Sequence, residues 1–474
     1  MKNMHKPLRS LVSAAVIGVL TTTAAHAGGF SLYTEGSAYA TGNFAAGIAA
    51  EAADASTGWY NPAGLSLLHE KQAVFGGVGV FPKAELTGTS TFAAAPVPYV
   101  QNFNGIDGGE NAFVPSFHAA LPVGANTTVG ISMIAPFGLA TDWGPQSSVR
   151  YQATFTELLT TNLSPEIGSR LSDNFAVGAG LDLQYARVKF NRMLGAPTIY
   201  GNVIPPFNAA GVDSLSYNKG NSVGVGYHVG AMGIFNDQHT RIGLNYQSHM
   251  RHKFNGYSRL TGPLANPASI FGPVTPPAVS ISRSNDLTSN SVNLPDIVTL
   301  SGYHDVNEKL ALLGSVVFTG WSSFKEIQLN NVAAPSIGLA GTTQVRVNSL
   351  SPQNYSDAWR AAIGANYRFN DAWMLRVGGG YDQTPTNDID RDVRLPDADR
   401  WALSIGAHYQ MRDTIGFDVG YTHLFGANDA IINRTDALST TSSYNVNALG
   451  KARADLVGAQ VVWTLDPPPV VATK

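Results

Sequence analysis

The chain has 474 residues, 44% of them hydrophobic and only 13% charged, with 49 glycines, 10% aromatics and no cysteine. Charge at about half the usual share suggests a membrane protein, yet a mean hydropathy of −0.02 argues against helical spans and fits apolar residues alternating with small polar ones. A net charge of −3 leaves no basic surplus for a phosphate backbone, which argues against nucleic acid as a partner. The absence of thiols excludes disulfides, cysteine nucleophiles, thiolate metal sites and iron–sulfur clusters.

Residues 1–27 read as a cleaved secretory signal. Lys2, Lys6 and Arg9 precede the apolar run Leu11 to Leu20, and Ala25-His26-Ala27 offers small residues where a signal peptidase needs them. That run is too short for a hydrocarbon core that takes about 20 helical residues. The remainder keeps 27 basic against 33 acidic residues, a net of −6. No later stretch is long and apolar enough for a helical anchor, so a membrane-spanning form requires a closed barrel.

Residues 28–71 do not alternate. Ala45 to Leu68 reads as short helices broken by turns, with Asn61-Pro62 ending one piece because proline disfavours α geometry in the residue before it. The segment carries Phe30, Tyr33, Phe44, Trp59 and Tyr60 with few charges, which fits a plug inside a lumen better than a disordered tail.

From Gln72 onward the period is two. In Phe175 to Tyr185, Phe175, Val177, Ala179, Leu181, Leu183 and Tyr185 alternate with Ala176, Gly178, Gly180, Asp182 and Gln184. The same split recurs at 242–246, 359–369, 373–381, 401–409, 415–425 and 457–463. Strands of about ten residues, with Trp and Tyr ending the apolar faces, fit a lipid-facing barrel with aromatic girdles. Candidate strands start near Gln72, Ala112, Thr127, Arg150, Asp173, Gly220, Thr240, Ile281, Glu308, Gln344, Asp371, Asp399, Asp413 and Lys451. That is fourteen, the even number a bacterial barrel needs. The expectation is an all-β, 14-stranded antiparallel transmembrane β-barrel over 72–465 with a partly helical N-terminal plug. A Pro-rich tail, 466–474, follows it. The segment Ala334–Ser356 is ambiguous by one strand, and Met193–Ala210 and Thr261–Ala278 are expected as external loops.

Ala135-Pro136-Phe137-Gly138 is expected to break the sheet, since Pro136 has no N–H for a ladder and Gly138 tolerates angles other residues avoid. His118, His228 and His408, with Arg241, Arg360, Arg368 and Arg376, fall on polar faces. The expected role of the histidines is lumen packing against the plug, and of the arginines pairing with plug carboxylates. No serine-nucleophile elbow, zinc helix, phosphate loop or calcium loop occurs, so neither an enzyme nor a metal or cofactor is expected.

The segment from Gly29 to Leu65 (GFSLYTEGSAYATGNFAAGIAAEAADASTGWYNPAGL) resembles the N-terminal hatch of FadL-type outer-membrane transporters of long-chain fatty acids, a family whose relatives admit aromatic hydrocarbons. Further similarity lies in APFGLAT (135–141), GWSSF (320–324), YSDAWR (355–360), GYDQTP (380–385) and RLPDADR (394–400), in the family's order over almost the whole chain. The resemblance implies capture of a hydrophobic compound in an apolar pocket and lateral release through a break in the third strand, in the outer membrane of a Gram-negative bacterium. It implies Asn61, Pro62, Ala63 and Gly64 as the hatch motif, Arg192 as the carboxylate candidate and Asp382 as a lumen acid facing the hatch. Partners are then a long-chain fatty acid or other hydrophobic small molecule and outer-membrane lipid, with a monomer expected. One departure is that Trp463, not the last residue, is the final aromatic. Uptake of aromatic hydrocarbons is the first alternative. A general porin or a barrel-borne lipid hydrolase remain the others.

Overall fold

The computed structural model describes residues 29–94, 98–195, 213–265, 281–334, 345–437 and 442–465. The expected signal and Pro-rich tail lie outside them, as does most of both expected Pro-rich external loops.

Fourteen antiparallel staves close a barrel. The first is β1 (Gln72–Ala94) and the second β3 (Ala112–Pro122), with the short β2 (Tyr99–Asp107) between them lying against β1 above the membrane. The third is split into β4 (Thr127–Ile134) and β5 (Gly138–Asp142). Then come β6 (Phe155–Ser172), β7 (Phe175–Leu194) and β8 (Ser214–Phe235). Four split staves follow: β9 (Thr240–Gln247) with β10 (Met250–Thr261), β11 (Ile281–Leu294) with β12 (Ile297–Asp305), β13 (Leu310–Thr319) with β14 (Glu326–Ala334), and β15 (Val345–Pro352) with β16 (Ala358–Arg368). The last four are β17 (Trp373–Asp382), β18 (Arg400–Arg412), β19 (Ile415–Gly426) with β20 (Ala430–Ala437), and β21 (Ser442–Thr464). β21 pairs with β1 from Gln72↔Thr464 to Ala94↔Ser442, which closes the ring.

The expected apolar faces point outward. Leu181, Leu183, Val225, Leu244, Leu300, Ile363, Leu403 and Val457 are all exposed. Cross-strand aromatic pairs flank this band, Trp373 with Tyr409 at 4.4 Å and Tyr381 with Trp401 at 4.9 Å between ring centroids. Trp373 and Tyr381 bound nine residues of β17, close to the ~9–11 that a tilted strand needs to cross the hydrocarbon.

Three strand starts move. The fourth stave begins at Phe155 because Arg150 belongs to a compact turn that bonds Asp213, Gln101 and Tyr151. β8 begins at Ser214 and not near Gly220, and β21 at Ser442 and not near Lys451. In the outer half of β21 the pattern inverts, since Tyr444, Val446 and Ala448 are buried while Ser443, Asn445 and Asn447 face outward, so the start is not marked by an outward apolar face. Val345 opens the tenth stave, so the ambiguous region loses no strand.

Residues 29–68 fill the lumen as three one-turn helices, α1 (Ala38–Thr41), α2 (Ile48–Glu51) and α3 (Thr57–Tyr60), and two 3₁₀ turns, Thr34–Gly36 and Pro62–Leu67. Ser37 caps α1 through its side chain, accepting from Ala40 N. α3 ends at Asn61, extended at φ −167°, before Pro62 starts the 3₁₀ turn.

Candidate functional site

The wall makes room for the hatch by omitting side chains. A Cβ on Gly230 would lie 1.9 Å from Asn61 Oδ1, and one on Gly178 would lie 2.3 Å from the Pro62 carbonyl carbon. In the space so cleared the Asn61 amide uses both ends. Its Nδ2 donates to Ala49 O at 2.7 Å within the hatch and to Ala231 O at 3.1 Å in β8, and its Oδ1 accepts from Ala63 N at 3.1 Å. Ala63 and Gly64 are buried beside it.

Polar wall residues bind hatch backbone around the ring. His118 Nε2 lies 3.2 Å from Gly36 O, and His228 Nε2 lies 3.2 Å from Gly58 O, while His228 Nδ1 faces Asp182. Gln460 Oε1 accepts from Ala38 N at 3.1 Å. His408 faces Asp418 in the wall at 3.0 Å. The expected arginine pairing needs correction. Arg360 donates to Thr34 Oγ1 and Phe44 O and lies 3.7 Å over the Phe44 ring. Arg376 bonds wall Asp418 and covers Tyr39, and Arg241 covers Tyr303. Arg368 is exposed at the end of β16. Among the described residues none of the four forms an ion pair with a hatch carboxylate; a wall carboxylate for Arg376, a hydroxyl and a carbonyl for Arg360, and ring faces take its place. Burial pushes the hatch Glu35 carboxyl up to about 7, the attraction of Arg360 offsetting part of the rise.

The third stave breaks where proline forbids a ladder. β4 pairs with β6 up to Ile134↔Asn162, and β5 resumes at Gly138↔Leu159, so three residues oppose two. On the other side, pairing with β3 stops at Phe117↔Met133. The outer half of β3, Ala112 to Ser116, therefore has no partner in the third stave. The freed backbone is satisfied from inside: Leu32 N donates to Pro136 O and Gly138 N to Phe30 O, both at 2.9 Å. Thr160 Oγ1 accepts from Phe137 N at 3.0 Å. Such groups left bare in hydrocarbon cost several kcal/mol each.

Five sequence motifs scattered from residue 135 to 400 meet around Phe30. Its ring contacts Trp321 at 4.5 Å, Phe324 at 5.4 Å, and Phe137 and Tyr355 at 6.3 Å. Asp397 Oδ2 accepts from Gly29 N at 2.9 Å. Arg400 reaches Asp397 at 3.4 Å and Asp382 at 3.5 Å, and Asp382 shares a small cavity with hatch residues Ser31 and Tyr33.

Above Phe30 opens a narrow cavity of about 80 Å³. Its wall is apolar, with Leu139 and Leu158, Val188 and Phe190, Phe254, Val292 and Leu294, and Phe324, Ile327 and Tyr355. Polar groups are few: Thr156, Ser349, Ser351, Gln353 and Arg394. The cation on this wall is Arg394, which is held by Asp392 at 2.7 Å and donates to Gln152 O. Arg192, the residue singled out from sequence, lies on the same face of β7 as Val188 and Phe190 but outside the cavity lining. Arg394 was within a recognised motif, yet no spacing rule links residue 394 to residue 190. Among the described residues no group of three or more His, Asp or Glu is placed to hold a metal.

Residues 18–464 match the family described as outer membrane protein transport protein (OMPP1/FadL/TodX). A long-chain fatty acid transport protein of Escherichia coli O6:H1 (strain CFT073) is 27% identical over 433 residues, covering 89% of this chain and 92% of that protein. A crystal structure of a Pseudomonas aeruginosa FadL homologue superposes with TM-score 0.78 at 22% identity, covering 92% of this chain and 100% of that one. The Pseudomonas putida toluene transporter TodX superposes with TM-score 0.60 at 14% identity over 93% and 98% of the two chains. A closed fourteen-stave barrel with its lumen filled by the N-terminal segment, matched over nearly its whole length, belongs to the OMPP1/FadL/TodX family of outer-membrane transport proteins.

Proposed function

We propose that this protein takes up hydrophobic compounds, long-chain fatty acids foremost, by capture in the apolar cavity and lateral release through the break at Ala135, Pro136, Phe137 and Gly138. One observation carries the reading. Phe30 is at once the floor of the cavity, through its ring, and the stitch across the break, through its carbonyl bound to Gly138 N. A displacement of that one residue joins pocket to exit. Residues 28–71 act as the hatch, anchored by Asn61, Pro62, Ala63 and Gly64, and Asp382 helps seat it through Arg400. The chain works as a monomer, without cofactor or catalysis.

A narrow apolar wall with a few polar groups suits a chain-like ligand with one polar head. Each buried methylene contributes about 0.8 kcal/mol, so the tail supplies most of the affinity. The head is oriented by Arg394 on the lining, with Arg192 next beyond Phe190. The aromatic lining favours aromatic hydrocarbons as a second reading. Uptake of a labelled long-chain fatty acid and of toluene, by cells with and without the gene, separates the two. Arg394→Ala is expected to weaken binding of a fatty acid but not of a neutral hydrocarbon of similar length, and Arg192→Ala to do so less. Equal binding of both ligands by wild type and both variants removes the arginines from the site.

A further inference from the structure

The wall has a second seam where the ladder fails, far from the third stave in sequence. β8 and β9 pair as far as His228↔Gln247, and Ser248 N still reaches Tyr227 O at 2.8 Å. β8 and β10 pair again only from Asn221↔Asn255. Between these points, residues 222–226 and 249–254 have no register with each other. Both edges stay in place because Ser222–Gly226 pair with β7 and Met250–Lys253 with β11.

The seam is sealed inside and open outside. Met250 and His252 press on positions without side chains: a Cβ on Gly226 would lie 2.8 Å from Met250 Sδ, and one on Gly224 would lie 2.9 Å from the His252 ring. His252 Nε2 also bonds Gln184 Oε1 at 3.0 Å. On the outer face an open cleft of about 570 Å³ remains, bordered by Tyr185, Asn221, Ser222, Arg251, Lys253 and Ser291. Arg251 spends one bond on Ser291, at 2.9 Å. Around the rim, Arg187 is in register with Asn221, and Lys189 with Lys219. Glu157 is the acid of this patch, already held by Arg187 at 2.8 Å and Lys189 at 3.1 Å. Among the described residues Lys219 and Lys253 have no ion-pair partner. Immediately below, Val223 and Val225 are 70% and 67% exposed, with Leu183 and Tyr227 beside them.

An outward charge on a barrel is costly at the bilayer midplane and almost free at the interface. Five cations against one acid, just above apolar and Tyr positions, therefore stand at headgroup depth, where Arg and Lys recognise anionic lipid heads. We propose that the β8/β10 cleft binds the anionic head of a membrane amphiphile, its chain lying on the valine face below. The proposal rests on the outer-membrane location and not on which compound is transported.

The test uses the full-length protein in neutral detergent, with bound lipid counted by native mass spectrometry. Three probes are offered: lipid A for a phosphate head, oleate for a carboxylate head, and phosphatidylcholine as a zwitterionic reference. Wild type is expected to retain lipid A or oleate about tenfold over phosphatidylcholine, and the preferred probe identifies the head. Arg251→Glu with Lys253→Glu is expected to lose that preference. Lys83→Glu with Lys451→Glu, outward cations on β1 and β21 across the barrel from the cleft, is expected to keep it. Circular dichroism establishes that each variant retains its sheet, and Arg251→Gln with Lys253→Gln serves if reversal prevents folding. Retention of all three probes alike by wild type, or an unchanged preference in the folded Arg251/Lys253 variant, overturns the proposal.

Discussion

The Asn61 amide joins hatch and wall through one donor group, and its loss leaves the carbonyls of Ala49 and Ala231 without that partner. A buried acceptor left unpaired costs about 1–3 kcal/mol. Asn61→Ala is therefore expected to loosen the hatch, seen as a higher ion leak through the protein in planar bilayers. Gly230→Val is expected to give a larger leak, since its side chain must displace Asn61 itself. Glu35 adds a pH dependence. Its carboxyl is held up near 7 when the hatch is seated and returns to its ordinary value of 4.5 when displaced. A raised acid favours the seated state while it keeps its proton, so seating weakens as pH rises from about 4.5 to about 7 and is flat above. Leak at pH 8 should exceed leak at pH 5; Glu35→Gln should reduce that difference, and since burial also pushes the hatch Glu51 carboxyl up to about 7, Glu35→Gln with Glu51→Gln should reduce it further.

At the scale of elements, the break in the third stave is a local consequence of Pro136, but its tolerance is not local. The carbonyls and amides that proline frees are taken by Phe30 and Leu32, about a hundred residues earlier. Ala135 is buried at the opening with no bulk of its own. Ala135→Trp is expected to obstruct passage while leaving the pocket intact: uptake by cells should fall severalfold, with ligand affinity of the purified protein unchanged. Loss of affinity in parallel with uptake would mean that the break belongs to the pocket and not to the exit. The same contrast explains which strands were placed well from sequence. β17 and β19 alternate sharply because lipid demands it, whereas the outer part of β21, SSYNVNALG, stands in register with β1 above the membrane and carries no such demand.

For the whole molecule, barrel and hatch each complete the other. The inner wall carries His118, His228, Gln460 and Arg360, whose partners are hatch carbonyls, amides and hydroxyls. A barrel without residues 29–68 should conduct ions steadily, where the intact chain should pass almost none. Single-channel recording of both forms checks this, and a closed hatchless barrel would mean that the loops and not the hatch block the lumen.

The sequence by itself determined the sheet, its closure, the even number of staves and the position of the plug. Those features follow from near neighbours: a period of two, a proline without a donor, apolar faces that only lipid can cover. It also supplied the motifs, but as separate strings. That Phe30, Phe137, Trp321, Phe324 and Tyr355 form one aromatic cluster, that Arg394 and not Arg192 lines the cavity, and that β8 and β10 part company were decided by the tertiary structure alone. The reason is physical. Closing the barrel joins residues hundreds of positions apart, and side chains meet there according to register and stave order, which no local pattern encodes.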